Sequence, residues 1–218
     1  MIRILDRVVP AQPGKPMRPE AAAVQARSRA IAEDSSRWSA DLARQTTEEF
    51  TELARVWDDS RGHYRPIPLA DALERGGPFP PGLCVEVGCG TGLLTGLIAG
   101  VWPRVVSLDL TWEMVRRSDA PWRLNADAAR LPVADRSAAA VVLADVPLFA
   151  EEVVRILAPG GVVVWSNALG AGSPHHVPVE VVAGALMRAQ DTLGPHVGWS
   201  AVTAEAGWGL WAVLRRGA

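Results

Sequence analysis

The segment Val85-Glu86-Val87-Gly88-Cys89-Gly90-Thr91-Gly92 constrains this chain more than any other. An apolar run holds an acid near its end, three glycines alternate with small residues, and Leu93-Leu94-Thr95-Gly96-Leu97-Ile98 begins a helical pattern. That order builds a strand, a tight turn and a helix start. Glycine is needed where backbone takes a left-handed conformation or where a ligand approaches with no Cβ in its way. Glu86 adds a fixed negative charge beside the turn. The segment reads as a site for a nucleotide-like cofactor, part of it cationic.

After Gly82 the pattern alternates regularly. Strands are predicted at 83–87, 104–108, 122–125, 138–144 and 161–166, and helices at 92–100, 111–118, 148–157 and 178–192. Ala138–Leu143 and Gly161–Trp165 are apolar throughout, which implies burial on both faces of a parallel sheet. Trp199–Thr203 and Leu210–Leu214, separated by Ala206-Gly207-Trp208-Gly209, suggest an antiparallel pair at the end of that sheet. Pro159-Gly160-Gly161 reads as the stop of a helix and the turn into a strand. The expected fold is α/β: a Rossmann-like, doubly wound, seven-stranded, mostly parallel sheet with an antiparallel last strand, in three αβα layers.

Two segments precede that domain, which is expected to span residues 82–218. Residues 1–19, with Pro10, Pro13, Pro16 and Pro19, form an extended arm. Residues 20–81 form a helical lid: Trp38, Leu42, Phe50, Leu53 and Trp57 share one stripe. Asp58-Asp59-Ser60-Arg61-Gly62 ends that helix, and a short helix follows at 69–74.

Composition excludes several functions. With 49% apolar residues and a net charge of −2, the chain has ample core and no field to draw it to nucleic acid or an anionic membrane. Its two cysteines, Cys84 and Cys89, have no ligand partners at metal spacing and no disulfide framework. The N-terminus lacks the apolar run of a signal peptide, and no window approaches the ~20 apolar residues of a membrane span. A cytoplasmic location is expected.

Acids fall at successive strand ends: Glu86, Asp109 (19 residues after Gly90), Asp127 and Asp145. A dinucleotide site shares the second acid, which holds a ribose, but it spaces its glycines Gly-x-Gly-x-x-Gly around a pyrophosphate. Here the spacing is one residue tighter, and an acid just before a pyrophosphate would repel it. Both facts disfavour a dinucleotide, and a nicotinamide-dependent oxidoreductase survives only weakly.

From about Gly82 onward the chain resembles the class I S-adenosylmethionine-dependent methyltransferases. The resemblance rests on Val85–Gly92, on Val106-Ser107-Leu108-Asp109-Leu110-Thr111-Trp112-Glu113-Met114-Val115, on Ala126-Asp127-Ala128-Ala129-Arg130-Leu131-Pro132-Val133-Ala134-Asp135, and on Val154-Arg155-Ile156-Leu157-Ala158-Pro159-Gly160-Gly161. It implies S-adenosyl-L-methionine as cofactor. Gly88, Gly90 and Gly92 would cradle its methionine portion, with Glu86 near the ammonium. Asp109 would accept both ribose hydroxyls, and Leu110 would pack on the adenine. Asp127 would accept the adenine amine beside a backbone donor from Ala128, with Asp145 the last acid of the set. Carboxylates are acceptor-only, and the ribose and amine offer donors.

The implied reaction is methyl transfer to a small-molecule acceptor. Asp145-Val146-Pro147-Leu148-Phe149 departs from the Asp/Asn-Pro-Pro-aromatic motif of enzymes that methylate nucleic-acid amines. A hydroxyl acceptor would use a general base, and His175-His176, just beyond the fifth predicted strand, is the candidate pair. Trp57 and Tyr64 either face the sulfonium or pack the lid on the sheet. Nine tryptophans suit an aromatic or apolar acceptor, although most should be core. The alternative is a non-catalytic S-adenosylmethionine-binding module serving a partner protein.

Overall fold

A computed structural model describes residues 1–17, 20–61 and 63–218. Pro19 of the arm and Gly62 of the expected helix stop lie outside the described residues. The core is one sheet built from β1 (Ile2–Ile4), β2 (Leu83–Val87), β3 (Arg104–Asp109), β4 (Arg123–Asn125), β5 (Ala138–Ala144), β6 (Leu157–Asn167), β7 (Trp199–Ala206) and β8 (Gly209–Arg216). Their order is β1-β7-β8-β6-β5-β2-β3-β4. Pairing is parallel from β6 through β4, and β8 runs antiparallel to both β6 and β7. The antiparallel end is as expected, but the sheet has eight strands rather than seven.

The extra strand comes from the arm. Ile2, Arg3 and Ile4 pair in parallel with Ala201, Val202 and Thr203 of β7. A three-residue strand has no periodicity of its own to reveal it; it exists because β7 offers an otherwise unpaired edge. A second difference lies in β6. Ala138 pairs with Leu157 and Ala140 with Val162, so Ala158–Gly161 bulges out of register within the strand. Gly160 takes φ +72 there. The Pro-Gly-Gly group is thus a bulge after the first pairing of β6, and α7 (Ala150–Ile156) ends ahead of it.

Alternate residues of each strand feed two cores, as a pleated sheet requires. Val85, Val141, Leu143, Val163 and Trp165 face α7 and α8 (Val179–Leu193). Cys84, Ala140, Val142, Val164 and Val213 face α4 (Pro66–Arg75) and α5 (Thr95–Ala99), with Leu69, Ile98 and Trp102 packed between. Both cysteines are buried and unpaired. Trp102, Trp165 and Trp211 are among the largest fully buried side chains, whereas Trp112 and Trp122 are 58% and 50% exposed beside the short edge strand β4.

The 20–57 region is several helices rather than one. α1 (Ala21–Glu33) stops where Asp34 turns to an extended backbone and its side chain accepts the Ser36 N–H. α2 (Ala40–Leu53) restarts under a Ser39 cap that accepts from Leu42 N–H. α3 (Trp57–Arg61) includes acids that were expected to end a helix. These helices lie over the carboxyl ends of the strands. Gln25 of α1 donates to Ala171 O and Ser173 O of the loop after β6, at 2.8 and 2.9 Å. Ala54 and Trp57 pack on Met114 of α6 (Trp112–Val115).

Candidate active site

A cavity of about 290 Å³ opens between the strand ends and α1–α3. Strand ends are where ligands bind in open α/β sheets. Of the expected site residues, Gly88, Gly90, Asp109, Leu110, Asp127, Ala128, Asp145 and His175 line it. Glu86, Gly92 and His176 do not. Phe50, Trp57, Tyr64 and Trp38 roof or wall it, with Phe149 packed edge-on against Trp38 at 5.5 Å.

The turn is built to bring backbone close. Gly88, Gly90 and Gly92 take φ of +70, +58 and +86. A Cβ on Gly88 would stand 2.1 Å from Val146 Cγ1, and one on Gly90 would stand 3.4 Å from Trp57 Nε1. Gly92 belongs to the floor: its Cβ would meet Ser118 Oγ at 2.4 Å.

Glu86 points to the α5 side, away from the main cavity, and lines a small pocket beneath the turn. Its carboxylate accepts from Thr95 Oγ1 at 2.6 Å and Ser107 Oγ at 2.7 Å. Burial raises its pKa from an ordinary 4.5 to about 7, against the opposing hydroxyl bonds. The folded chain therefore keeps the proton between those values while the unfolded chain loses it, so stability falls as pH rises through that window. Relative to Glu86→Gln, the native chain should lose on the order of 3 kcal/mol from about pH 4 to pH 8. Denaturant midpoints across pH measure this; parallel curves for the two proteins would contradict it.

Asp109, at the end of β3, accepts Gly90 N–H through Oδ2 at 2.9 Å and Thr111 N–H through Oδ1 at 2.8 Å. Burial pushes its pKa up, while these two bonds pull it down. A carboxylate has about four acceptor positions, so roughly two remain to face the cavity. Asp127 accepts Ala129 N–H at 2.8 Å and, from the lid, Trp38 Nε1–H at 2.9 Å. The acceptor expected for an adenine amine is thus shared with a lid indole that the sequence marks only as part of an apolar stripe.

Asp145 takes a strained φ of +54 and accepts from Ala168 N–H. It stands 3.4 Å from Arg65, whose guanidinium also donates to Ala144 O and lies 5.1 Å over the Trp57 ring. Trp57 therefore already carries a cation on its face. The two histidines diverge. His175 Nδ1 lies 3.0 Å from Ser28 Oγ, and burial lowers its pKa, so the ring is neutral at pH 7. His176 Nδ1 lies 3.1 Å from Asn167 Oδ1, and the ring lines a separate groove beside β1 and β7.

The structure thus brings Asp109, Asp127 and the glycine turn to the strand-end side of one cavity. Comparison with known proteins agrees. Residues 85–165 match the family model described as Methyltransferase domain. A structure described as the DhpI–SAH complex is 25% identical, with TM-score 0.60, covering 83% of this chain and 99% of that one. A chain from the complex of the Haloferax volcanii Trm112 methyltransferase activator with a methyltransferase is 19% identical, with TM-score 0.61, covering 78% and 98%. The [4+2]-cyclase SpnF is 13% identical, with TM-score 0.59, covering 80% and 96%. No curated protein matches the sequence significantly.

The stretch 85–165 is thus similar to a methyltransferase domain, and the fold is that of the class I S-adenosylmethionine-dependent methyltransferases. Its cofactor is S-adenosylmethionine. Among the described residues no cluster of His, Cys, Asp or Glu could hold a metal, and no helix is long and apolar enough to cross a membrane.

Proposed function

We propose that this chain catalyses methyl transfer to a small molecule held between the strand ends and the lid formed by α1–α3, the expected lid at 20–81 being cut back because α4 packs on a face of the sheet. The carrying observation is the convergence of Gly88, Gly90, Asp109, Leu110 and Asp127 on one cavity walled by Trp38, Phe50, Trp57 and Phe149. When bound, the cofactor supplies a methyl group on a sulfonium whose leaving group is already activated.

The chain's task is then to position and to exclude water. Asp109 and Asp127 hold the donors of the nucleoside, and the lid aromatics offer an apolar wall to an aromatic or apolar acceptor. His175, the candidate base, faces the cavity with a neutral ring, but burial lowers its pKa to about 4, so it is a weak base suited to orienting a hydroxyl acceptor by hydrogen bonding. His176 supports the site at one remove, through Asn167, whose Nδ2 faces Asp145 at 3.4 Å. At about 290 Å³ the cavity sits at the small end of the ligand-site range. Two free buried thiols suit a reducing, cytoplasmic setting.

The same fold in the cyclase SpnF bears on a second reading, a cofactor-binding module that transfers nothing. Incubation with methyl-labelled S-adenosylmethionine and a metabolite extract separates the two. Label appearing in a product only with the native chain supports transfer; bound cofactor with no labelled product supports the module.

A further inference from the structure

A second recess lies at the carboxyl edge of the sheet. β1 and β7 run parallel to β6, so their carboxyl ends open on the same side as the main cavity. A groove of about 390 Å³ lies beyond them, walled by Ile4, Leu5, Pro178, Val179 and Leu210. The loop after β6 divides the two spaces: Pro174 and His175 line the cavity, whereas His176 and Pro178 line the groove. Apolar surface left in water is unfavourable, and Ile4 is 78% exposed here.

The free polar groups of the groove are acceptors. Asn167 is fully buried, and its Nδ2 faces Asp145 Oδ1 at 3.4 Å. A carboxylate only accepts, so that contact orients the amide and turns Asn167 Oδ1 to His176 Nδ1 at 3.1 Å. Nδ1 must then carry the ring hydrogen. Burial lowers the pKa of His176, which keeps the ring neutral at pH 7. Its Nε2 is left as a bare acceptor, with no hydrogen bond among the described residues.

Charge points the same way. Arg7 pairs with Glu205, which cancels the guanidinium charge in the groove. Glu180 has no ionic partner among the described residues, so the groove keeps a net negative charge. The start of α8 favours anions, but Glu180 in its first turn already meets that preference. Thr203 spends its hydroxyl hydrogen on Trp211 O. An apolar wall, an unpaired carboxylate and a bare imidazole nitrogen together match a hydrocarbon body that brings a positive charge and N–H donors.

We propose that this groove is a second ligand site, separate from the cofactor cavity, for a small apolar molecule carrying a primary ammonium group. The ammonium would meet Glu180 and His176 Nε2, with the hydrocarbon against Ile4, Leu5 and Leu210.

Calorimetric titration with 2-phenylethylamine and two related compounds tests it. The amine should bind with a Kd of about 0.1–1 mM, ordinary for a molecule of about nine non-hydrogen atoms. The anion 3-phenylpropionate, of similar size, should not bind measurably. Phenethyltrimethylammonium keeps the charge but has no N–H, and should bind about 3- to 10-fold more weakly than the amine. Glu180→Gln should weaken the amine by about 2- to 5-fold. Ile4→Lys, which sets a cation in the groove, should abolish measurable binding. Both positions are exposed, so both variants should melt as the native chain does. Saturation with S-adenosylhomocysteine should leave the amine bound. Displacement of the amine by S-adenosylhomocysteine would overturn the proposal, as would native-like binding by both variants. Equal binding of the trimethylated compound, binding of the propionate as tight as that of the amine, or no binding of the amine would overturn it too.

Discussion

Replacing Asp109 with Ala is expected to abolish calorimetrically measurable binding of S-adenosylmethionine and S-adenosylhomocysteine. The carboxylate joins the turn to the start of α6 by accepting Gly90 and Thr111 N–H. Asp109 lines the cavity, and under the proposed function its remaining acceptor positions would take the two ribose hydroxyls. Hydrogen bonds to a charged group are each worth roughly 1.5–3 kcal/mol. Two lost together exceed about 100-fold in affinity, before any loosening of the turn is counted. Asp109→Asn should fall between, because an amide keeps one acceptor oxygen and turns the other position into a donor. A melting curve on each variant separates loss of site from loss of fold. Unchanged affinity in Asp109→Ala would remove the residue from the site.

Gly88→Ala should be strongly damaging. The added Cβ would meet Val146 Cγ1 at 2.1 Å, and φ is +70. The left-handed conformation costs an L-residue about 1–2 kcal/mol, and an overpacked contact about 1–3 kcal/mol more. Val146 follows the strained Asp145, so relief by moving that loop would disturb the Arg65 contact as well. The expected outcome is a melting temperature lower by about 5–15 °C for a chain of this size, with cofactor affinity lost in parallel. Gly160→Ala is the control. It also has positive φ, at +72, but nothing lies within 4 Å of its added Cβ. Equal melting temperatures for Gly88→Ala and Gly160→Ala would show that the close approach to Val146 carries no weight.

The parts of this fold legible in the sequence are those that repeat. Continuous apolar runs marked the parallel strands, since burial on both faces leaves no polar alternation, and three glycines in five residues marked the turn. Acids at strand ends marked Asp109 and Asp127, because a strand end fixes where a side chain projects. What escaped depends on distant partners. β1 exists only against β7, and the bulge in β6 only against β5. The break between α1 and α2 had a local sign in Asp34 and Ser39, both of them capping residues, overlooked under a continuous helical composition.

The site shows the same division. Glu86 stands near the end of its strand as expected, yet strand pleat turns it toward Thr95 and Ser107 instead of the main cavity. Adjacent histidines project differently from an irregular loop, which parts His175 from His176. Trp38 and Arg65 were invisible as site residues because they reach it from the lid, 89 residues before Asp127 and about as far ahead of Asp145. Residue type alone cannot announce such a pairing; only the packing of α1–α3 over the sheet creates it.

The most direct test of the central assignment is cofactor-specific thermal stabilisation of the native chain. A ligand that binds only the folded state stabilises it by about 2.7 kcal/mol at 100 times its Kd. For a chain of this size that is a rise of about 5–11 °C. S-adenosylhomocysteine should produce it, the Asp109→Ala variant should not respond, and NAD should leave both proteins unchanged. Stabilisation by NAD with none by S-adenosylhomocysteine would contradict the account.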